Sequence, residues 1–124
     1  MKILVVDDEK DIQPLFEQRF RKEIRNGEID FVFAYSGEEA LGCLVNYQHE
    51  AVLILSDINM PGMSGLELLS QIKQKHHTPP PVVMMITAYG DKENYNTAIE
   101  LGADDFITKP VDFNALKEKI NTYI

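Results

Sequence analysis

Four short apolar runs in this 124-residue chain each end on polar side chains that can do chemistry. Asp7 and Asp8 follow the first run, Asp57 the second, Thr87 the third and Lys109 the fourth. If the runs are parallel strands, their carboxyl ends meet at one edge of a sheet, which is where ligands bind in such sheets. The pattern therefore predicts that three carboxylates, a hydroxyl and an ammonium group share one site.

The three carboxylates predict a site for a divalent cation and a phosphoryl group. Two carboxylates ~5 Å apart repel by roughly 3 kcal/mol at an effective dielectric of ~20, so a group of three must raise its pKa values or recruit a cation. Oxygen ligands of this kind favour Mg²⁺. A carboxylate can attack phosphorus, and we assign that role to Asp57. Lys109 can balance charge on the phosphoryl oxygens, and the Thr87 hydroxyl can hydrogen-bond one of them.

Each of these residues also has an ordinary structural interpretation. Asp7, Asp8 and Asp57 can cap a helix or a turn, Thr87 can simply end a strand, and Lys109 can be solvated. The joint placement of all five at the ends of four runs is what favours the site.

The apolar runs alternate with segments that have the spacing of amphipathic helices. The predicted strands are Ile3–Val6, Ile29–Ala34, Ala51–Ser56, Val82–Ile86 and Phe106–Thr108. The predicted helices are Ile12–Ile24, Ser36–Val45, Ser64–Ile72, Asp91–Leu101 and Asp112–Tyr123. Ser36 and Ser64 each precede a Glu by three residues, which is typical of a helix N-cap. The buried residues of the second and third helices are expected to be Ala40, Leu41, Leu44, Val45, Leu66, Leu69 and Ile72.

Five strand–helix repeats predict an α/β protein with a doubly wound parallel sheet and helices on both faces. Strands 1, 3 and 4 are almost wholly apolar, as strands covered on both faces should be. His76–Pro81 cannot continue a helix and is expected to be a loop. The chain carries His49, His76 and His77 without metal-ligand spacing, and Met60, Met63, Met84 and Met85 are expected to pack in the core or loops.

The bulk composition is that of one globular domain. Hydrophobic residues make up 44% of the chain and charged residues 26%, and the formal net charge of −8 opposes a nucleic-acid partner. Cys43 is the single cysteine, which excludes an internal disulfide and favours a reducing compartment. The N-terminus lacks a signal peptide and no run approaches the ~20 apolar residues of a membrane span, so we expect a cytoplasmic protein without a membrane partner.

The whole chain, Met1 to Ile124, resembles the receiver domain of two-component response regulators, in particular chemotaxis-type regulators. The motifs that carry the resemblance are Val5–Glu9, Ser56–Gly65, Ile86–Ala88 and Gly102–Pro110. The resemblance implies a flavodoxin-like (βα)5 fold with strand order 2-1-3-4-5 and one receiver domain over residues 1–124. It also implies a phosphorylation-activated switch in a two-component phosphorelay.

The resemblance further assigns roles to individual residues. Asp57 would accept a phosphoryl group from a sensor histidine kinase or a histidine phosphotransfer protein. Mg²⁺, with Mn²⁺ as a substitute, would be held by Asp8, Asp57 and the backbone carbonyl of Asn59, with Asp7 acting through water. Lys109 would contact the phosphoryl group, and its peptide bond to Pro110 would be cis. Thr87 and Phe106 would move on phosphorylation, which would reshape the surface of helix 4, strand 5 and helix 5 for a downstream protein or effector domain.

Two alternatives remain open. The chain can be the receiver part of a longer regulator whose effector domain is absent here, or a small phosphatase with an Asp nucleophile. Phosphatases of the haloacid-dehalogenase type carry a second Asp two residues after the nucleophile, but here that residue is Asn59. The sequence therefore favours a domain that catalyses only its own phosphorylation and dephosphorylation over an enzyme acting on phosphate esters.

Two further residue groups near these motifs carry weaker expectations. Tyr89 lies two residues after Thr87, and we expect it to slow hydrolysis of the phosphorylated form by obstructing the attacking water, although an exposed loop tyrosine is an equal alternative. The Asp104–Asp105 pair resembles positions used by receiver dimers, but we assign no dimer from it.

Overall fold

A computed structural model describes residues 1–47, 50, 52–75 and 79–123 of the chain. Strands and helices alternate along these residues, as the apolar runs predict. The elements are β1 (Lys2–Val6), α1 (Ile12–Arg19), α2 (Arg21–Arg25), β2 (Asp30–Ala34), α3 (Gly37–Val45), β3 (Val52–Asp57), α4 (Gly65–Gln74), β4 (Val82–Thr87), α5 (Lys92–Glu100), β5 (Asp105–Thr108) and α6 (Phe113–Asn121). The predictions for His49, Ala51, His76, His77 and Ile124 lie outside the described residues.

The five strands form one parallel sheet in the order β2-β1-β3-β4-β5. The predicted flavodoxin-like fold and its strand order are therefore confirmed. The register aligns the strand ends: Val6 pairs with Ser56 in β3, and Thr87 pairs with Thr108 in β5. The residues that follow β1, β3, β4 and β5 consequently meet at the same edge of the sheet.

Two hydrophobic cores cover the two faces of this sheet. Alternate residues of a strand point to opposite faces, so Leu4 and Ile54 enter one core whereas Ile3 and Leu53 enter the other. The first core is closed by α3, α4 and α5, and the second by α1 and α6. Since β1 and β3 are buried on both faces, their continuous apolar runs are the expected sequence pattern.

Five phenylalanine rings join α1, β2 and α6 in the second core. The Phe16 ring meets Phe113 edge-on at a centroid distance of 5.2 Å, and Phe20 meets Phe31 at 5.1 Å. Such edge-to-face pairs contribute about 0.5–1.5 kcal/mol beyond the area they bury. This aromatic cluster of Phe16, Phe20, Phe31, Phe33 and Phe113 fixes α6 against α1.

The first predicted helix is interrupted, which corrects the sequence expectation. Phe20 has φ −109° and ψ 22°, and it separates α1 from α2. The amide of Phe20 still donates to Phe16 and that of Ile24 to Phe20, so the interruption bends the helix without a reversal. The bend lies where the fully buried Phe20 ring is packed among the other phenylalanines. As a result, the predicted first helix corresponds to α1 and α2, and the predicted fifth helix to α6.

The predicted helix caps are present, whereas the buried residues of α3 and α4 agree with the prediction only in part. The Ser36 and Ser64 hydroxyls accept hydrogen bonds from the amides three residues on. Val45 was expected inward but is 61% exposed, because it is the last residue of α3. Leu68, which the periodicity did not mark, is fully buried beside Leu69. Cys43 is half-buried against the first core, as expected for a packing residue.

Candidate phosphoryl-transfer site

Three carboxylates converge at the carboxyl edge of the sheet. Asp7 follows β1 and Asp57 ends β3, and both are about 5% exposed, whereas Asp8 is exposed. One oxygen of each side chain lies within 4.8 Å of the others. The β1–β3 register places Asp7 and Asp57 next to each other, because the preceding residues, Val6 and Ser56, are paired. The predicted carboxylate cluster is therefore present in the structure.

Asp7 is held in a fixed orientation at an electrostatic cost. Its Oδ1 accepts a hydrogen bond of 3.0 Å from the amide of Glu9, and its own amide donates to Ala34 in β2. Burial raises the pKa of the Asp7 carboxyl, and the neighbouring charge of Asp57 raises it further, while the Glu9 hydrogen bond and Lys109 act in the opposite direction. The Glu9 amide and Lys109 thus do not fully offset the cost of a negative charge on Asp7.

Lys109 supplies the cation that faces Asp57. Its Nζ donates to Asp57 Oδ2 at 3.1 Å, and the Lys109 side chain is 45% exposed whereas that of Asp57 is only 7% exposed. Burial disfavours the ammonium ion, but the hydrogen bond and charge of Asp57 outweigh it, so the pKa of Lys109 is raised. Lys109 therefore remains protonated at neutral pH and presents a fixed positive charge beside the buried Asp57 carboxylate.

The ends of β4 and β5 close the other side of the site. Thr87 is 4% exposed, and its carbonyl oxygen accepts a hydrogen bond of 2.8 Å from the amide of Lys109. The Lys109–Pro110 peptide bond is cis. Thr87 follows Ile86, which pairs with Asp57 in β3, and the Lys109 ammonium group contacts Asp57, so β4 and β5 bring a hydroxyl and an ammonium group to the edge of the sheet where Asp57 lies.

The donor set fits a hard divalent cation. Three carboxylates within 4.8 Å of one another offer only oxygen ligands, which Mg²⁺ prefers, usually with water completing its shell. Burial, and after it the neighbouring charge of Asp57, raises the pKa of Asp7, so a bound cation would stabilise the ionised carboxylates. The acidic group is therefore compatible with Mg²⁺.

The model of the response regulator receiver domain matches residues 3–121 of this chain. The chain belongs to that family. The family predicted from the four motifs is thereby confirmed, and with it the function at the level of the family: the protein is a phosphorelay switch domain of a two-component system.

Solved receiver domains share the fold along almost the whole chain. A response regulator receiver domain protein from Clostridium thermocellum is 30% identical with a TM-score of 0.83, covering 98% of this chain and 91% of its own. The receiver domain of NtrX from Brucella abortus is 33% identical with a TM-score of 0.79, covering 97% and 95%. A chain of the Saccharomyces cerevisiae co-crystal structure of the histidine phosphotransfer signalling protein Ypd1 and the receiver domain of its downstream response regulator Ssk1 is 26% identical, with a TM-score of 0.81, covering 98% and 86%.

Other residues that the motifs singled out lie around the receiver site. Asn59 is exposed in the loop between β3 and α4, and Tyr89 is 88% exposed in the loop after β4. Phe106 in β5 is partly buried, and its ring lies 4.4 Å from that of Tyr95 in α5. Asp104 and Asp105 form ion pairs within the chain, with Lys73 and Lys119.

Two residues without a predicted role, Gly65 and Tyr95, contact the receiver site or its surroundings. A Cβ atom at Gly65 would overlap the carbonyl oxygen of Asp57 and lie 2.8 Å from Ile58 Cα, so only glycine lets α4 begin here. Gly65 lies in the motif Ser56–Gly65, but the close backbone approach that requires glycine is visible only in three dimensions. Tyr95 is 42% exposed, which gives no periodic signal.

Proposed function

We propose that Asp57 is the phosphoacceptor of this receiver domain. The observation that carries the proposal is the single buried carboxylate that contacts both the acidic cluster and the ammonium group of Lys109. Asp7 and Asp8 lack such a cation within 4.0 Å in the part of the chain that the structure describes. Asp57 is consequently the carboxylate beside which a phosphoryl group would find positive charge on one side and the metal ligands on the other.

The reaction is the transfer of a phosphoryl group to a carboxylate oxygen. An Asp57 oxygen attacks phosphorus, and a P–O bond forms as the P–N bond of a phosphohistidine breaks. The electron pair of that bond stays on the imidazole nitrogen, and the other ring nitrogen of the phosphohistidine already carries a proton, so neutral imidazole leaves without a general acid. Lys109 and the Thr87 hydroxyl hold the phosphoryl oxygens, and attack by water on phosphorus later reverses the modification.

We propose Mg²⁺ as the cofactor, with Mn²⁺ as a substitute. Asp8, Asp57 and the backbone carbonyl of Asn59 would hold the ion directly, and Asp7 would act through water. When bound, the ion neutralises the carboxylates and the incoming phosphoryl oxygens. The carboxylates of this chain supply the charge that attracts it.

The output surface proposed here consists of α5, β5 and α6. Thr87 lies at the end of β4 next to β5, and its hydroxyl would move toward the phosphoryl oxygens. Phe106 then has room to turn inward, and it is already in contact with Tyr95 on α5. A movement of Thr87 would therefore change the packing of Phe106 and the exposure of Tyr95.

The size of the switch sets the free energy that it needs. Shifting the ratio of active to inactive conformation from 1:99 to 99:1 needs ~5.5 kcal/mol of differential stabilisation, which bounds what phosphorylation and partner binding must supply together.

A groove beside the site suits the phosphodonor protein. It has a volume of about 640 Å³, runs past Asp7 and Lys109, and is lined mainly by the apolar side chains Ile12, Leu15, Val111 and Phe113. Leu15 is 39% exposed on α1. We propose that a sensor histidine kinase or a histidine phosphotransfer protein packs an apolar face here and so brings its phosphohistidine to Asp57.

The domain is proposed to catalyse only its own phosphorylation and dephosphorylation. Asn59 has no acidic proton to give to a poor leaving group, which disfavours turnover of phosphate esters. Residues 1–124 are proposed to form one receiver domain, acting alone on a downstream protein or as part of a longer regulator. The unpaired Cys43 is consistent with a cytoplasmic location.

The proposal is tested by NMR with beryllofluoride, which imitates a phosphoryl group on a carboxylate. With Mg²⁺ present, we expect amide shifts around Asp57 and also along α5, β5 and α6. Asp57→Ala should abolish both sets of shifts, whereas Thr87→Ala should keep the first and reduce the second. Shifts in the wild type that persist in Asp57→Ala would reject Asp57 as the acceptor, and shifts confined to the site would reject the switch surface.

A further inference from the structure

All three arginines of the chain lie in one seven-residue stretch, far from the receiver site. Arg19 ends α1, and Arg21 and Arg25 are the first and last residues of α2. Together with Lys22 and Lys117 they line a cavity of about 760 Å³ between α1–α2 and α6, which we call the arginine pocket. Five cations thus converge in a protein whose formal net charge is −8.

Four of these five cations have no ion-pair partner in the part of the chain that the structure describes. The single acidic lining residue, Glu23, pairs with Lys117 at 3.2 Å. Its other oxygen, Oε1, is buried and has no hydrogen-bond partner. Among residues 1–47, 50, 52–75 and 79–123, no carboxylate lies within 4.0 Å of Arg19, Arg21, Lys22 or Arg25. Four uncompensated positive charges therefore repel one another across one pocket, which favours a bound anion.

Two of the cations are held in place by aromatic rings. The Arg19 guanidinium lies over the Phe113 ring at 5.4 Å from its centroid, and Lys117 Nζ lies 5.2 Å from that of Phe20. Both rings belong to the aromatic cluster, which is part of the rigid second core. The walls of the pocket are therefore ordered before any ligand binds, which lowers the entropy lost on binding.

The arginine pocket lies at the opposite edge of the sheet from Asp57. Only four residues link Arg25 to Asp30, which pairs with Lys2 at the beginning of β1. Asp7, in contrast, follows the end of β1. A ligand in the pocket would therefore not contact the phosphorylation chemistry, and the inference does not depend on the proposed function.

We propose that the arginine pocket binds a small molecule with two or more linked phosphates, of the nucleoside di- or triphosphate class. Planar guanidinium groups bind phosphate oxygens in pairs, and several phosphates are needed to engage cations on both α2 and α6. The volume lies within the range of small-molecule sites. A long nucleic acid is disfavoured, because the rest of this acidic protein would repel its backbone.

Calorimetric titration with tripolyphosphate and, separately, with ATP tests the proposal. The titrations use the full chain at about 0.15 M salt, where weak surface attraction is screened, with EDTA present to keep metal ions away from the carboxylates. We expect saturable binding of both probes, weakened at least tenfold by the double variant Arg21→Ala/Arg25→Ala. The matched control Lys75→Ala/Lys92→Ala removes the same charge from exposed positions elsewhere and should bind like the wild type.

Glu23→Gln separates an anion site from a merely basic surface. It removes the negative charge from the pocket while the amide oxygen can still accept from Lys117, so affinity for tripolyphosphate should rise several-fold. Tighter binding of ATP than of tripolyphosphate would identify a nucleotide, and equal binding would identify the phosphate chain as the recognised group. The proposal is wrong if neither probe binds with a Kd below about 1 mM, if the double variant binds as tightly as the wild type, or if an oligoglutamate peptide or single-stranded DNA binds more tightly than both probes.

The same variants keep this test independent of the receiver function. Arg21→Ala/Arg25→Ala should take up a phosphoryl group at the wild-type rate, because neither arginine lies near Asp57. Loss of phosphate binding with normal phosphorylation would therefore be assigned to the pocket alone.

Discussion

Asp7 illustrates at the scale of one residue how the site stores negative charge. Its carboxyl is nearly buried and lies beside Asp57, and burial together with that neighbour raises its pKa above the ordinary 3.8. Because the folded protein holds the proton more tightly than the unfolded chain, stability falls as pH rises from 3.8 through the raised pKa. At neutral pH the ionised Asp7 therefore destabilises the metal-free fold.

Replacing Asp7 with Asn should stabilise the metal-free protein. At pH 7.5 in EDTA, we expect the melting temperature of Asp7→Asn to exceed that of the wild type by a few degrees. As the pH rises above 3.8, the melting temperature of the variant should not show the fall that ionisation of Asp7 causes in the wild type. Asn keeps the hydrogen bond from Glu9, so the loop is not disturbed. Added Mg²⁺ should stabilise the wild type more than the variant.

The control for this comparison is Asp30→Asn, an exposed carboxylate at the other edge of the sheet. It should leave the melting temperature within a degree or so of the wild type. A less stable Asp7→Asn protein at pH 7.5 without metal would contradict the electrostatic account of the site.

Tyr89 is expected to control the lifetime of the phosphorylated form. It borders the groove that contains Asp7 and Lys109, and it is 88% exposed, so its ring is free to cover the phosphoryl group. Tyr89→Ala should therefore shorten the half-life of the phosphorylated protein several-fold, as followed by intact mass after removal of the donor. Tyr89→Phe, which keeps the ring, should decay like the wild type, and equal decay in all three proteins would assign Tyr89 to the surface only.

At the scale of the elements, the turn from β3 into α4 depends on a close backbone approach. The Gly65 amide donates to Ile58 at 2.8 Å, and a side chain at Gly65 would collide with the Asp57 carbonyl. The loop that carries Asn59 is thereby fixed next to Asp57, the proposed acceptor. Gly42 in α3 offers a contrast, because a Cβ atom there would meet nothing within 4 Å.

The two glycine substitutions should have opposite effects on stability. Gly65→Ala must displace backbone and should destabilise the fold by about 2 kcal/mol or more. Gly42→Ala should stabilise it by about 0.5–1 kcal/mol, because alanine loses less conformational entropy in a helix. Urea unfolding of both variants measures the difference, and a Gly65→Ala protein as stable as Gly42→Ala would show that the β3–α4 turn is not constrained.

The elements were predictable wherever local pattern determines structure. Apolar runs between turn residues identified all five strands, and the Ser36 and Ser64 caps identified the starts of α3 and α4. The bend at Phe20 was not predictable, because it accompanies packing of one ring against Phe31 and Phe113 from distant segments. The exposure of Val45 likewise depends on where α3 leaves the core.

At the scale of the whole molecule, topology assembles both edges of the sheet. Parallel strands bring Asp7, Asp57, Thr87 and Lys109 together, so the candidate site could be predicted once the runs were interpreted as strands. The arginine pocket could not be predicted, because Lys117 joins the α2 cations only when α6 packs against α1. The contact of Tyr95 with Phe106 is equally invisible in the sequence, since it joins α5 to β5.

Within the described residues, no helix is long and apolar enough to span a bilayer.

The most direct test of the central claim is the intact mass of the protein after incubation with acetyl phosphate. We predict one added phosphoryl group in the wild type with Mg²⁺, none with EDTA, and none in Asp57→Ala. Asp30→Ala, a matched exposed carboxylate, should be phosphorylated like the wild type. An adduct of equal amount in Asp57→Ala, or no adduct in a folded wild-type protein with Mg²⁺ present, would contradict the account of Asp57 as the acceptor of this receiver domain.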